Sequence, residues 1–102
     1  MNWPALARKV AVRSSCRYKV SAIALDKRGN VLSTASNRPR FAKLSGGMHA
    51  EMAVLRKVNV GDVRVVLIAR VNKAGDLLPI DPCATCKRVL TRLGIKIKTV
   101  RG

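Results

Sequence analysis

The sequence predicts an α/β fold in three layers, with helices packed on the faces of a mixed β-sheet of about four strands. Segments with helical and strand periodicity follow one another in the order α-β-β-α-β-α-β. The first two strands are joined by a short turn, as in a hairpin, whereas the later strands are separated by helices that act as crossovers. The segment 63–71 is almost continuously apolar, which is typical of a central strand covered on both faces.

The first half of the chain predicts one helix and the hairpin. Residues 3–13 are expected to be helical, because Pro4 suits the first turn and apolar side chains follow at helical spacing. Residues 18–25 and 31–36 are expected to be strands, since both are rich in β-branched and apolar residues. The DKRGN turn between them contains a glycine and an asparagine, which tolerate positive φ.

The second half predicts two helices and two strands. Residues 49–58 form the second predicted helix, which Asn59 and a following glycine end. Residues 83–93 form the third predicted helix, with Cys86, Leu90 and Leu93 on one stripe and a glycine directly after it. The final strand, IKIKTV, alternates apolar residues with lysines, a pattern that discourages aggregation at the edge of a sheet.

Length and hydropathy predict a single domain over residues 1–102. The chain contains no apolar run of the roughly 18 residues that a membrane-spanning helix needs. Its first residues carry charges inside the apolar pattern, unlike a secretory signal. We therefore expect a cytoplasmic protein that does not bind membranes.

The net charge of +16 predicts an anionic partner, because 21 Lys and Arg residues face only five Asp and Glu residues. Nucleic acid or a nucleotide is the natural candidate. The alternative is a well-solvated basic surface with no specific partner.

Two short motifs concentrate the chemistry of the chain. HAEMA contains the only histidine and the only glutamate, His49 and Glu51, at the start of the second predicted helix. PCATC places Cys83 and Cys86 at the start of the third, where C-x-x-C indicates metal ligands or a redox pair. Cys16 stands apart and is expected to be a small buried apolar residue.

Together these motifs predict one zinc ion per chain, bound by His49, Cys83 and Cys86. Both helix starts follow strands, so they can converge at one end of the sheet, where α/β folds place ligands. Three protein ligands leave the fourth zinc position open for water, as in catalytic rather than structural sites. Glu51 is then free to move protons to and from that water. A structural, non-catalytic zinc module that binds nucleic acid is the alternative.

The order H-x-E followed by P-C-x-x-C resembles the signature of the zinc-dependent nucleobase deaminases, and the chain resembles the cytidine/deoxycytidylate deaminase superfamily from about residue 18 to residue 100. The resemblance implies zinc on His49, Cys83 and Cys86, and proton transfer by Glu51 during attack on the amino-bearing ring carbon. It also implies a minimal cytidine deaminase-like fold, truncated after the fourth strand, because most relatives add a further strand and helix. We therefore expect a homo-oligomer.

The resemblance also implies residues that contact the substrate. Asn37 matches the position of a nucleotide-binding asparagine in related enzymes, although a plain turn asparagine before a proline is the alternative. Main-chain groups of Ala50 and Pro82 are implied to hold the base. Phe41 could stack near the base, and Arg38 could meet a phosphate.

Two classes of substrate remain open. The length of the segment before Cys83 favours cytosine in a free nucleoside or nucleotide, such as cytidine or dCMP. The basic charge favours cytosine or adenine within DNA or RNA, as in the tRNA adenosine deaminases.

Overall fold

The computed structural model describes residues 3–13, 19–37, 50–72, 74–78, 80 and 84–100, with the main chain alone described at 50–52 and 84–85. The helices and strands are α1 (Trp3–Ala11), β1 (Lys19–Leu25), β2 (Val31–Ser36), α2 (Ala50–Leu55), β3 (Val65–Val71), β4 (Leu77–Leu78), α3 (Ala84–Arg92) and β5 (Lys96–Thr99). None of the helices in these ranges is long and apolar enough to cross a membrane.

The sheet is mixed and is centred on β3. On one side of β3 lies β1, which pairs antiparallel with both β3 and β2. On the other side, β5 pairs parallel with β3, and β4 pairs antiparallel with its last residues. The predicted α/β class is confirmed. Within the described residues the sheet has five strands, where about four were predicted, because Leu77 and Leu78 pair with Val71 and Arg70.

Alternation along the strands divides the apolar side chains between two faces of the sheet. On one face, Val54 of α2 and Leu90 of α3 share a buried cluster with Ile68 of β3. On the other face, Ala7 of α1 packs in a second cluster with Ile23 of β1. The predicted three layers are therefore present, with α2 and α3 on one face and α1 on the other.

The predicted stripe on α3 is wrong at its last position. Cys86 and Leu90 are buried, whereas Leu93 is 46% exposed. Gly94 has a φ of 75°, and the N–H of Ile95 donates to the carbonyl of Leu90 at 2.9 Å, so the chain turns sharply after the helix. Because of this turn, Ile95 enters the core, where it is only 3% exposed.

The second helix also ends earlier than predicted, at Leu55 rather than Val58. A 3₁₀ turn, Val60–Asp62, follows it, and the side chain of Asn59 accepts a hydrogen bond from the N–H of Gly61 at 3.1 Å. Asn59 therefore caps this turn instead of ending α2.

The hairpin turn depends on one carboxylate. Asp26 accepts hydrogen bonds from the N–H groups of Asn30, at 2.9 Å, and Arg28, at 2.8 Å. Gly29 takes the positive φ of 83° that the sequence led us to expect, whereas Asn30 does not take a positive φ. The hydrogen bond from the Asn30 N–H is the main cause that lowers the pKa of Asp26, with the Arg28 N–H and charge adding to it.

Candidate metal and active site

Both α2 and α3 begin at the edge of the sheet where β3 ends. After α3 the chain enters β5, where the N–H of Lys96 donates to the carbonyl of Arg64 at 3.0 Å, beside the start of β3. The α2 helix also leads, through the 3₁₀ turn, to the start of β3. Because each helix packs along the sheet and finishes near the start of β3, its first residue lies toward the opposite edge. We call this end of the sheet, where the strands begin or finish, the site edge. The strand residues that lie there are Lys19, Ser36, Val71 and Thr99.

A hydrogen bond holds the approach to the C-x-x-C motif at the site edge. The hydroxyl of Thr99, the last residue of β5, donates to the carbonyl of Ile80 at 3.1 Å. Ile80 also packs against the cluster beneath α2 and α3. Ile80 lies three positions before Cys83 in the sequence, so this contact holds at the site edge the last described residue before the motif.

Asn37 is fixed at the same edge by two hydrogen bonds to one residue. Its N–H donates to the carbonyl of Val20 at 3.0 Å, and its Oδ1 accepts the N–H of Val20 at 2.9 Å. Ala35, two residues earlier, belongs to the cluster beneath α2, so alternation puts Asn37 on that same face. The structure thus places Asn37 beside β1 at the site edge; its contact with substrate stays a prediction.

Cys86 lies on the inner side of α3, in its first turn. It is 4% exposed, and Leu90, one helical turn later, belongs to the cluster shared with α2. The thiol is thereby on the side of α3 that faces the sheet. A thiolate here, together with a second thiolate and an imidazole from the motif residues, is a donor set that suits zinc. The described position of Cys86 fits a metal ligand.

The remaining predicted site residues lie at or beyond the limits of the described chain. Ala50 and Glu51 are the first two residues of α2, with only their main chain described. His49, Cys83, Pro82, Phe41 and Arg38 lie outside the described residues. Within the described part of the chain, no three metal-binding side chains form a group. The ligand roles of His49 and Cys83 therefore stay predictions.

Sequence reasoning overlooked Arg70, which brings a positive charge to the site edge. In the register of the sheet, Val20 of β1 lies between Asn37, which directly follows β2, and Arg70 of β3. Ile68 faces the cluster beneath α2 and α3, so alternation puts the half-buried Arg70 on that face too. The signal was a single cation near the end of an otherwise apolar strand, VVLIARV.

The sequence matches the model of a known protein family. Residues 2–100 match the family model described as the cytidine and deoxycytidylate deaminase zinc-binding region. The matched segment includes every residue of both motifs. The search of curated proteins gave no match.

Solved structures of cytidine deaminases share the fold. A mutant cytidine deaminase from Mycobacterium tuberculosis is 28% identical, with a TM-score of 0.64 over 92% of this chain and 77% of its own. The enzyme from Burkholderia pseudomallei is 20% identical, with a TM-score of 0.71 over 100% of this chain and 88% of its own. That from Mycobacterium leprae is 20% identical, with a TM-score of 0.69 over 97% and 88% of the two chains. Because the family model covers nearly all of the sequence, the chain belongs to the cytidine and deoxycytidylate deaminase family.

Proposed function

We propose that this protein is a zinc-dependent hydrolase that deaminates cytosine to uracil, with release of ammonia, in a nucleoside or nucleotide such as cytidine or dCMP. The observation that carries the proposal is the common edge at which α2 and α3 begin. Glu51 of the H-x-E motif is the second residue of α2, and Cys86 of the P-C-x-x-C motif is the third residue of α3. The starts of two helices far apart in sequence thus lie toward one end of the strands, which supports a metal ion shared between the two motifs.

His49, Cys83 and Cys86 would hold one zinc ion per chain. Zinc in such a three-ligand site supplies Lewis acidity, which makes water acidic enough to serve as a nucleophile near neutral pH. The Glu51 carboxylate would accept a proton from the attacking water and pass it to the amino group that leaves as ammonia. The new carbon–oxygen bond would form first, and the carbon–nitrogen bond to the protonated amino group would break afterwards. The second proton of the water would move to the ring nitrogen as the oxygen becomes the carbonyl of uracil.

Other residues of the chain would orient the base. Asn37 is held rigidly by Val20, so its amide is presented in one orientation at the site edge. Main-chain groups of Ala50 and Pro82 would bind the base, and Phe41 and Arg38 would contribute to the rim. Fixing the base in this way turns the encounter with water into a reaction between oriented partners.

The net charge of +16 favours a second candidate, deamination of cytosine or adenine within a polynucleotide. One assay separates the two. Ammonia release is measured from the zinc-loaded protein with cytidine, dCMP, single-stranded DNA and transfer RNA in parallel, with Glu51→Gln as the matched control. Turnover of cytidine or dCMP that is absent in the control supports the first proposal. Turnover confined to the polynucleotides supports the second, and release from no substrate would reject both.

A further inference from the structure

The outer edge of β5 carries main-chain hydrogen-bonding groups that pair with no described strand. The N–H groups of Lys96 and Val100 donate inward, to the carbonyls of Arg64 and Ile68, at 3.0 and 2.7 Å. In a parallel ladder, alternate residues point their N–H and C=O groups to opposite sides of the strand. The N–H and C=O groups of Ile97 and Thr99 therefore point away from β3, and no strand among the described residues pairs with them.

The two faces beside this edge differ in chemistry. Ile97 packs against the cluster under α3, while Val100 belongs to the cluster under α1. Alternation therefore puts Lys96 and Lys98 on the α1 face, where both are exposed. A groove of about 610 Å³ runs along β5 beside α3. It is lined by Lys87, Thr91, Gly94 and residues 95–99, so Lys96 and Lys98 also border it.

We propose that the outer edge of β5 binds an extended, acidic segment of a partner protein by strand addition. Such a segment would satisfy both the donors and the acceptors of Ile97 and Thr99. Its residues on the α1 face would be carboxylates opposite Lys96 and Lys98, and its residues on the α3 face would be apolar, beside Ile95 and Ile97. The preferred segment thus alternates acidic and β-branched residues.

Charge and hydrogen bonding select this occupant over two others. A second copy of the chain would bring its own Lys96 and Lys98 against these, and each copy carries a net charge of +16. The backbone of a DNA strand offers phosphate oxygens, which only accept hydrogen bonds; its donors lie on the bases and do not follow the alternating donor and acceptor spacing of a β-strand edge. An acidic peptide strand meets both requirements.

Fluorescence anisotropy with a labelled peptide of alternating valine and glutamate tests the proposal on the full chain. A second peptide has the same sequence but carries N-methyl groups on the residues that would pair, which removes strand pairing and keeps the charge. We expect the first peptide to bind and the second to bind at least about tenfold more weakly, since it loses its main-chain donors. Equal binding of the two peptides, or no binding of either, would overturn strand addition.

Matched charge variants locate the site. Lys96→Glu combined with Lys98→Glu reverses two charges at the edge, and Lys27→Glu combined with Arg28→Glu reverses two exposed charges in the hairpin turn. Both variants change the net charge equally. The edge variant should weaken peptide binding about tenfold or more, because two cross-strand attractions become repulsions. The hairpin variant should show only the smaller effect of net charge; equal losses would refute the location.

Two further measurements exclude the other occupants. An oligothymidylate with the same number of negative charges should bind more weakly than the peptide, and its binding should not compete with the peptide. Tighter, competing binding of the oligonucleotide would reassign the edge to nucleic acid. Sedimentation should not show a dimer that dissociates when the peptide is added. A dimer that the peptide dissociates would assign the edge to a second copy of the chain.

Discussion

Replacing Thr99 with valine should loosen the approach to the C-x-x-C motif while leaving the fold intact. Valine has nearly the same shape as threonine, so Thr99→Val removes the hydroxyl that donates to the carbonyl of Ile80 at 3.1 Å and little else. An average hydrogen bond contributes about 0.5–1.5 kcal/mol to stability, and a carbonyl left unsatisfied adds to the loss. Because this bond is half-buried, we expect the free energy of unfolding to fall by about 1–2 kcal/mol.

Thr91→Val provides the matched control. The hydroxyl of Thr91 donates to the carbonyl of Lys87 at 2.7 Å, within α3 and exposed to solvent. The same chemical change there leaves a carbonyl that water and the helix still satisfy, so the loss should stay within about 0.5 kcal/mol.

The two variants should differ most in zinc affinity. If Ile80 positions the segment that carries Cys83, its loosening in Thr99→Val should weaken zinc binding by about tenfold, the low end for groups that orient metal ligands. Urea unfolding followed by circular dichroism measures stability, and competition with a chromophoric chelator measures zinc affinity. Equal zinc affinity in Thr99→Val and Thr91→Val would refute the positioning role of Ile80. Equal free energies of unfolding in the two variants would refute the predicted contribution of the hydrogen bond between Thr99 and Ile80.

Three further changes test separate parts of the account. Glu51→Gln should retain stoichiometric zinc by elemental analysis and lose nearly all ammonia release; unchanged release would reject proton transfer by Glu51. Ser21→Ala should raise the free energy of unfolding by about 1 kcal/mol, because the Ser21 hydroxyl is buried without a hydrogen-bond partner among the described residues, and a loss of stability would show that it has one. The lowered pKa of Asp26 means that its contribution to stability is present above the ordinary value of 3.8 and is lost as the pH falls through its value in the folded protein. Urea midpoints should therefore decline more steeply in acid for the native chain than for Asp26→Asn, and parallel declines would contradict this.

Local sequence patterns predicted most of the helices and strands. The strand 31–36 has the bounds that its composition predicted, and the apolar run before Asn72 is the central strand. The errors have two causes: one strand depends on pairing with β3, and two helix ends depend on the turns that follow them. Leu77 and Leu78 form a strand only because β3 offers an edge there, and Leu93 is exposed because Ile95 enters the core through the turn at Gly94.

For the candidate site, the sequence predicted local positions on a helix but not contacts between strands. Spacing alone placed Cys86 on the inner side of a helix, because the positions of Cys86 and Leu90 one turn apart are a local property. Spacing could not predict the hydrogen bonds between Asn37 and Val20, or the pairing of Val20 with Arg70. Both depend on the register of three neighbouring segments in the sheet.

Register also explains why this sheet can carry a metal site at one edge. The motif residues come from separate helices, and nothing local keeps the two helix starts together. Parallel pairing of β3 with β5 returns the chain to the site edge, where the Thr99 hydroxyl meets Ile80. Antiparallel pairing of β1 with β2 brings Asn37 to the same edge. Zinc bound there would hold the starts of α2 and α3 to each other, so its binding free energy would add to the stability of the sheet that assembles its ligands.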